Sequence, residues 1–316
     1  MATHGLNDTA WGAVSPIATA VQEAAEAGAG RSRGFKKSFS VDAAEGNDSG
    51  SGSWRSPLKT IAAAVALVQS GDQLILSGKF REQVIPSNLL GYLSFIGDAR
   101  QSAYGDDPWK AGAAWLAPAS PTAAKALLTA RGQGYYLENL LMDGPADAAA
   151  VELERNALSG NSEYDASHIK MLGCRFVGGQ SGIEIDGGVY RLWVQDCTFH
   201  ANTNGIKGLN TSVDVSTAAR IIGNQFYGSH TNEIILSLND SIIKGNIFHD
   251  LGPTEHINTI YNSGQGARNH VIHNYFPETN ANIKEDDGYK GSTTDYWRNF
   301  ATGTAAEVVE SPPGAS

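Results

Sequence analysis

Between Ser167 and Phe300 one three-residue phrase keeps returning: Cys174-Arg-Phe176, Cys197-Thr-Phe199, Asn224-Gln-Phe226, Asn246-Ile-Phe248 and Asn274-Tyr-Phe276, with Asn299-Phe300 as a shortened sixth copy. Successive phenylalanines lie 23, 27, 22, 28 and 24 residues apart. A second phrase follows each of the first five: Gly182-Ile-Glu-Ile185, Gly205-Ile-Lys207, Glu233-Ile-Ile-Leu236, His256-Ile-Asn258 and Asn282-Ile-Lys284. An apolar third phrase precedes the phenylalanine, as in Leu192-Trp-Val194, Ile221-Ile222, Ile242-Ile243 and Val271-Ile272. Self-similarity at this period means stacked units, none able to bury its apolar face alone.

Each unit holds three short β-type runs separated by Gly, Asn and Asp, with no room for a helix of three turns. The Leu-x-x-Leu-x-Leu frame of leucine-rich repeats is absent, and a propeller blade needs about 40 residues. What remains is an all-β parallel β-helix, a solenoid in which each repeat is one coil. Interior Phe and Ile then stack on their equivalents about 4.8 Å away. The Cys174, Cys197, Asn224, Asn246, Asn274 column predicts a ladder at a tight turn, where Asn tolerates left-handed backbone and its amide bonds its neighbour.

Composition agrees with a turn-rich β protein: 36 of 316 residues are Gly and only 18% are charged. A net charge of −10 with scattered basic residues argues against a nucleic-acid partner. Two cysteines, both inside the repeat, leave no disulfide framework and are expected as buried free thiols. The start Met1-Ala-Thr-His-Gly lacks the basic and apolar runs of a secretory signal, and no 18-residue apolar span suits membrane insertion.

Four segments follow from these patterns. Residues 1–34 form a head segment for docking and oligomerisation. Within it Ser15-Pro16 opens a short helix whose Ile17, Val21 and Ala24 follow coiled-coil spacing, and Gly28 to Gly34 is a linker. Residues 35–72 hold an opening segment and a capping helix, with Ser56 as cap, Pro57 in the first turn and Leu58, Ile61, Val65 and Val68 on one apolar stripe. Residues 73–300 make the solenoid, and 301–316 a polar tail. The stretch Gly91 to Pro121 interrupts the period with Trp109 and Trp115 amid Gly, Asp and Pro, and residues 145–167 form a polar excursion carrying Glu152, Glu154, Glu163 and Asp165.

The opening segment carries a resemblance. Gly46-Asn-Asp48, then Ser56-Pro-Leu-Lys-Thr-Ile61, then Gly71-Asp-Gln-Leu-Ile-Leu76 and Gly78-Lys-Phe-Arg-Glu-Gln-Val84 resemble the start of right-handed, single-stranded β-helix proteins of the pectate-lyase-like superfamily. That group includes polysaccharide lyases and bacteriophage tailspikes. The resemblance spans about residues 39–300 and implies a polysaccharide groove along one parallel sheet.

Residues flanking an inward Ile point outward. The second phrase therefore lays out a column of Glu184, Lys207, Ile235, Asn258 and Lys284, with Glu233 two positions before Ile235 and Asp186 in the next outward position. Glu184, Asp186 and Glu233 are the candidate catalytic carboxylates. Lys207, Asn258 and Lys284 are candidate substrate contacts, and Trp109 and Trp115 candidate stacking platforms for sugar rings. Three readings stay open for the column: hydrolysis by paired carboxylates, lyase chemistry with a basic residue, and a salt-bridged ladder that keeps the sheet soluble. The superfamily's lyases use clustered Asp for calcium, a pattern this chain departs from. Cys197-x-x-His200 lacks further ligands at zinc spacing, so neither a metal nor another cofactor is expected.

Secreted lyases of plant polymers carry a signal, a calcium cluster and usually disulfides; tailspikes need none of these. The expected function is therefore a tailspike-type receptor-binding protein in the virion tail, a homotrimer attached to other tail proteins through its N-terminus. Its partner is a host surface polysaccharide, with cleavage an open question. The alternatives are a secreted polysaccharide lyase and a non-enzymatic structural virion protein.

Overall fold

The computed structural model describes residues 36–87, 90–98, 113–154, 166–209, 216–228, 231–249 and 268–276 in full, together with the backbone of 255–259, 289–290, 296–301 and 307–309. The segment 1–34, Trp109 and Lys284 lie outside the described residues.

The chain from Lys36 winds as a parallel β-helix. Each coil lays down three short strands, for example Lys170–Leu172, Arg175–Gly178 and Ser181–Asp186, then Trp193–Gln195, Thr198–His200 and Asn204–Gly208 one coil later. Each of these strands pairs in parallel with its equivalent in the coils before and after. One wall is a 7-stranded sheet running in chain order from Leu128–Ala130 to Tyr289–Lys290. The other two walls join in a 17-stranded sheet among the described residues.

The recurring phenylalanines form the axis of the core. Phe176, Phe199, Phe226, Phe248 and Phe276 are buried and stack ring over ring, with centroids 5.0, 4.7, 5.1 and 5.0 Å apart. Strand pairing imposes this spacing, because directly paired residues on neighbouring strands repeat at about 4.8 Å. The sixth copy breaks step. A bulge in His270–Phe276 puts Ala301 opposite Phe276 and Phe300 opposite Tyr275, since the shorter Asn299-Phe300 phrase has no residue to match the extra one at the turn.

Beside this column runs the asparagine ladder. The backbone N–H of Cys197 donates to Asn224 Oδ1 at 2.9 Å, that of Asn224 to Asn246 Oδ1 at 2.9 Å, and that of Asn246 to Asn274 Oδ1 at 3.0 Å. The Nδ2 of Asn224, Asn246 and Asn274 donate in turn to the carbonyls of Val194, Ile221 and Ile243. The left-handed backbone expected of the ladder belongs instead to the residue before each rung: Gly173, Asp196, Gly223, Gly245 and His273, with φ between +52° and +67°. That residue makes the corner, and the ladder residue ties it to the next coil. Cys174 and Cys197 fill the first two rungs as buried free thiols; burial, and then Cys174 beside it, push the Cys197 thiol well up.

The capping helix is shorter and starts later than its sequence suggests. Helix α1 spans Ile61–Val65, and its N-cap is Thr60, whose Oγ1 accepts from the Ala63 N–H at 3.1 Å. The Ser-Pro pair that looked like a cap lies upstream, in a turn held by Asp48, whose carboxylate accepts from the N–H groups of Lys59 and Thr60. The helix N-terminus is completed from the solenoid itself: the Glu82 carboxylate accepts from the N–H groups of Ile61 and Ala62 at 2.8 and 2.9 Å. Leu58, Ile61, Ala64 and Val68 join the same core as the strands. At the far end, Glu307–Val309, read from sequence as polar tail, pairs antiparallel with Tyr296–Ala301, which covers backbone groups that would otherwise be an open edge.

If the ladder ties the corners together, Asn246→Ala strands the bonds on both sides of its rung. We expect it to lower the unfolding free energy by about 2–3 kcal/mol in urea titrations. Trp54→Ala, at a side chain 78% exposed, should change it by less than about 0.5 kcal/mol.

Candidate functional site: a carboxylate wall

The outer face of the 7-stranded sheet is where the chain gathers its acids. Along Ala149–Glu154 and Ser181–Asp186, Val151, Leu153, Ile183 and Ile185 face the core, so the residues between them face out. Glu152 lies directly opposite Glu184, and Glu154 directly opposite Asp186. Four carboxylates thus share two neighbouring strands, all of them partly exposed. Thr129 precedes Glu152 in its column, and Lys207, Ile235, Asn258 and Lys290 follow Glu184 in order.

The four acids are not equivalent. Glu154 is held by a two-point contact with Arg131, Nε to Oε2 at 2.7 Å and an Nη to Oε1 at 3.2 Å. Glu184 accepts from the Ser181 hydroxyl at 3.1 Å, and Glu152 from the Thr129 hydroxyl at 3.0 Å. Glu152 is the half-buried member. Burial pushes its carboxyl above the usual range; the Thr129 hydrogen bond pulls it back, and the charges of Glu154, Glu184 and Asp186 raise it further. One acid inclined to keep its proton therefore stands next to carboxylates, an arrangement suited to proton donation beside a negative partner. Among the described residues no group of three or more His, Cys, Asp or Glu is arranged to hold a metal ion.

The structure brings together Glu184, Asp186 and Lys207 as the sequence placed them, with Glu184 directly facing Lys207 across the strand pair. Asn258 keeps its place in the column by backbone register. Three expectations change. Glu233 is fully buried and offers no carboxylate to the outer face; its position aligns with Gly182 and Gly205, where an added Cβ would meet the Phe199 and Phe226 rings. The column position after Asn258 is taken by Lys290, not Lys284, because the connection from the preceding coil is longer than the phrase Asn282-Ile-Lys284 implied. Trp115 is fully buried: its ring lies 5.8 Å from that of Phe95, and its Nε1 donates to the Glu82 carbonyl at 2.8 Å. It packs the core and meets no sugar.

Glu152 and Glu154 were missed because residues 145–167 look like a polar excursion. The signal was present, though: Val151-Glu-Leu-Glu154 is the same apolar–acid–apolar–acid phrase as Ile183-Glu-Ile-Asp186, one coil earlier.

No protein-family model matches the sequence, and no curated protein matches it. Solved structures are similar in three dimensions. An alginate lyase from Paenibacillus sp. str. FPU-7 aligns with TM-score 0.51 and 13% identity over 85% of this chain and 92% of its own. PfbA, a surface adhesin of Streptococcus pneumoniae, aligns at 0.47 and 12% over 84% and 67%, and the pectate lyase Pel9A at 0.46 and 12% over 90% and 83%. The likeness is one of fold.

A carboxyl whose folded-state value is raised favours folding while protonated, and this contribution is lost as pH climbs from the unfolded value through the folded one. Glu152→Gln keeps an acceptor for Thr129 but removes the charge. It should therefore raise the denaturation midpoint at neutral pH, and the gain should vanish below about pH 4, where glutamate is protonated in the unfolded chain too. Thermal melts of both proteins across pH check this.

Proposed function

We propose that this protein is a polysaccharide-recognising β-helix protein of the bacteriophage tailspike kind, binding a host surface glycan along the carboxylate wall and hydrolysing it there. The observation that carries the reading is the pairing of Glu152, whose proton affinity is raised by burial and by its acidic neighbours, with Glu184 directly across one strand spacing. A rigid wall with the same spacing on every coil suits a linear polymer laid along it. Glu152 would give its proton to the glycosidic oxygen, and Glu184 would act as the negative partner on the ring side. Facing carboxyls about 5 Å apart favour a covalent intermediate and retention of configuration. The diagonal pair Glu152 and Asp186, about 7–8 Å apart, is the geometry for water attack and inversion. Lys207, paired across from Glu184, would hold a hydroxyl or ring oxygen of the next sugar. Four acids on two strands repel a uronate chain, so elimination from uronates at this wall is not part of the proposal. In this reading the segment 1–34 attaches the chain to other tail proteins and the spike works as a homotrimer.

Incubation of the whole protein with neutral capsular polysaccharides and O-antigen lipopolysaccharides of bacteria should release new reducing ends. Glu152→Gln and Glu184→Gln should each slow that release by about 10²–10⁴-fold, with rates of the wild type falling as pH rises through the Glu152 value. Unchanged release by both variants would show that the chemistry lies elsewhere.

A further inference from the structure

A second wall of the same coils has the opposite chemistry. Lys170, Trp193 and Arg220 are consecutive members of one outward column, each directly paired with the next. The Lys170 ammonium lies 4.2 Å from the centre of the Trp193 ring, and the Arg220 guanidinium 5.3 Å from it. The ring itself is pinned: its Nε1 donates to Gln195 Oε1 at 3.0 Å, and Gln195 Nε2 donates to Asp196 Oδ2 at 3.0 Å. At the corner that leads into this strand, Arg191 sits 5.0 Å over the ring of Tyr190, which is 44% exposed. Arg191 is near enough to Arg220 to disfavour its charge, a second cause after burial. Lys244 stands exposed in the adjacent column, two coils beyond Gln195. The acids around this face are Glu138, which accepts from the Tyr136 hydroxyl at 2.6 Å, Asp196, which is engaged by Gln195, and Asp240, which is paired with Arg268 at 2.8 Å.

This concentration of cations runs against the chain's net charge of −10, and it costs like-charge repulsion that an anion between Arg191 and Arg220 would relieve. Cation–π contacts hold the cationic side chains in fixed positions, which lowers the ordering cost of a ligand that meets them. Lys170 and Arg220 are two strand spacings apart, about 10 Å, along the solenoid axis. A polymer lying along that axis therefore meets a cation, an aromatic ring and a second cation in succession. Tyr190, with Arg191 over its ring and His168 in edge contact at 5.4 Å, adds a partly exposed aromatic surface of the kind that packs on sugars.

We propose that the Lys170–Trp193–Arg220 strip, with Arg191 and Tyr190, is a binding site for an acidic polysaccharide, distinct from the carboxylate wall. Anionic substituents on the glycan pair with Lys170, Arg220 and Arg191, and a sugar ring packs against the exposed part of Tyr190. The two walls divide the work by charge: acidic chains are repelled from Glu152, Glu154, Glu184 and Asp186 and drawn to the cationic strip. The site does not depend on hydrolysis at the carboxylate wall.

The test uses the full chain and fluorescently labelled oligosaccharides of alginate and polygalacturonate, with dextran sulfate and unmodified dextran as further arms. Fluorescence anisotropy should show binding of the carboxylated oligomers that weakens with salt, and none of dextran. Dextran sulfate binding as tightly would assign the site to anionic glycans generally rather than to uronates. Trp193→Ala and Arg220→Gln should each weaken binding about tenfold, and Arg220→Lys should keep part of it. Melting temperatures of the variants, together with unchanged reducing-end release from a neutral glycan if the carboxylate wall cleaves one, separate loss of the site from loss of the fold. Acidic oligomers bound no better than dextran, or bound equally by the variants, would overturn the proposal. So would duplex DNA competing as strongly as alginate, or self-association that Arg220→Gln abolishes.

Discussion

Vertical registry is the constraint on which the rest of this molecule depends. Parallel strands from successive coils fix one repeat along the axis, and every side chain that recurs once per coil must meet its own kind. Phenylalanine meets phenylalanine in offset stacks near 5 Å, and asparagine meets asparagine, the side-chain oxygen of one coil accepting from both the backbone N–H and the side-chain amide of the last. The same rule that buries these groups outlines the surface. Whatever occupies an outward position is set beside the equivalent residue of the next coil, whether the two attract or repel.

That rule explains why the two outer walls can differ so sharply within a few residues of chain. The interior is uniform because registry rewards repetition there. Outward positions are released from packing, so acids accumulate on one wall and cations with aromatic rings on another. Repulsion among Glu152, Glu154, Glu184 and Asp186 is tolerated because the core beneath them, Val151, Leu153, Ile183 and Ile185, fixes the strands whatever the outer residues prefer. Arg131 and Thr129 then moderate the acids one at a time.

The repeat was legible because it rests on local patterns read once per coil: the phenylalanine phrase, the alternation around Ile183 and Ile206, and the Cys/Asn column. Errors arose where the phrase and the register part company. Glu233 looked outward from its neighbour Ile235, but it is the second residue of its strand, where its equivalents Gly182 and Gly205 are buried too, and this break in the in–out alternation is invisible to a count of alternate residues. Lys284 fitted the phrase while Lys290 took the place, since loop length between coils carries no periodic signal. Trp115 lay in a stretch of Gly, Asp and Pro that looked like an exposed loop, yet Ala113–Leu116 is a strand between two coils. Of the site, Glu184, Asp186 and Lys207 could be named from sequence. Glu152 carried the same phrase one coil earlier, but its raised proton affinity, due first to burial and then to the acids beside it, emerges only once the strands are paired.

The central functional claim is that a glycan lies along the carboxylate wall, and carboxyl footprinting with and without the polysaccharide addresses it most directly. In the free protein, carbodiimide coupling should label Glu152, Glu184 and Asp186 along with exposed acids such as Asp196 and Glu45. With a bound neutral polysaccharide, labelling of the first three should fall while Asp196 and Glu45 react as before. Equal labelling of all five, with binding verified in the same sample, would contradict the account.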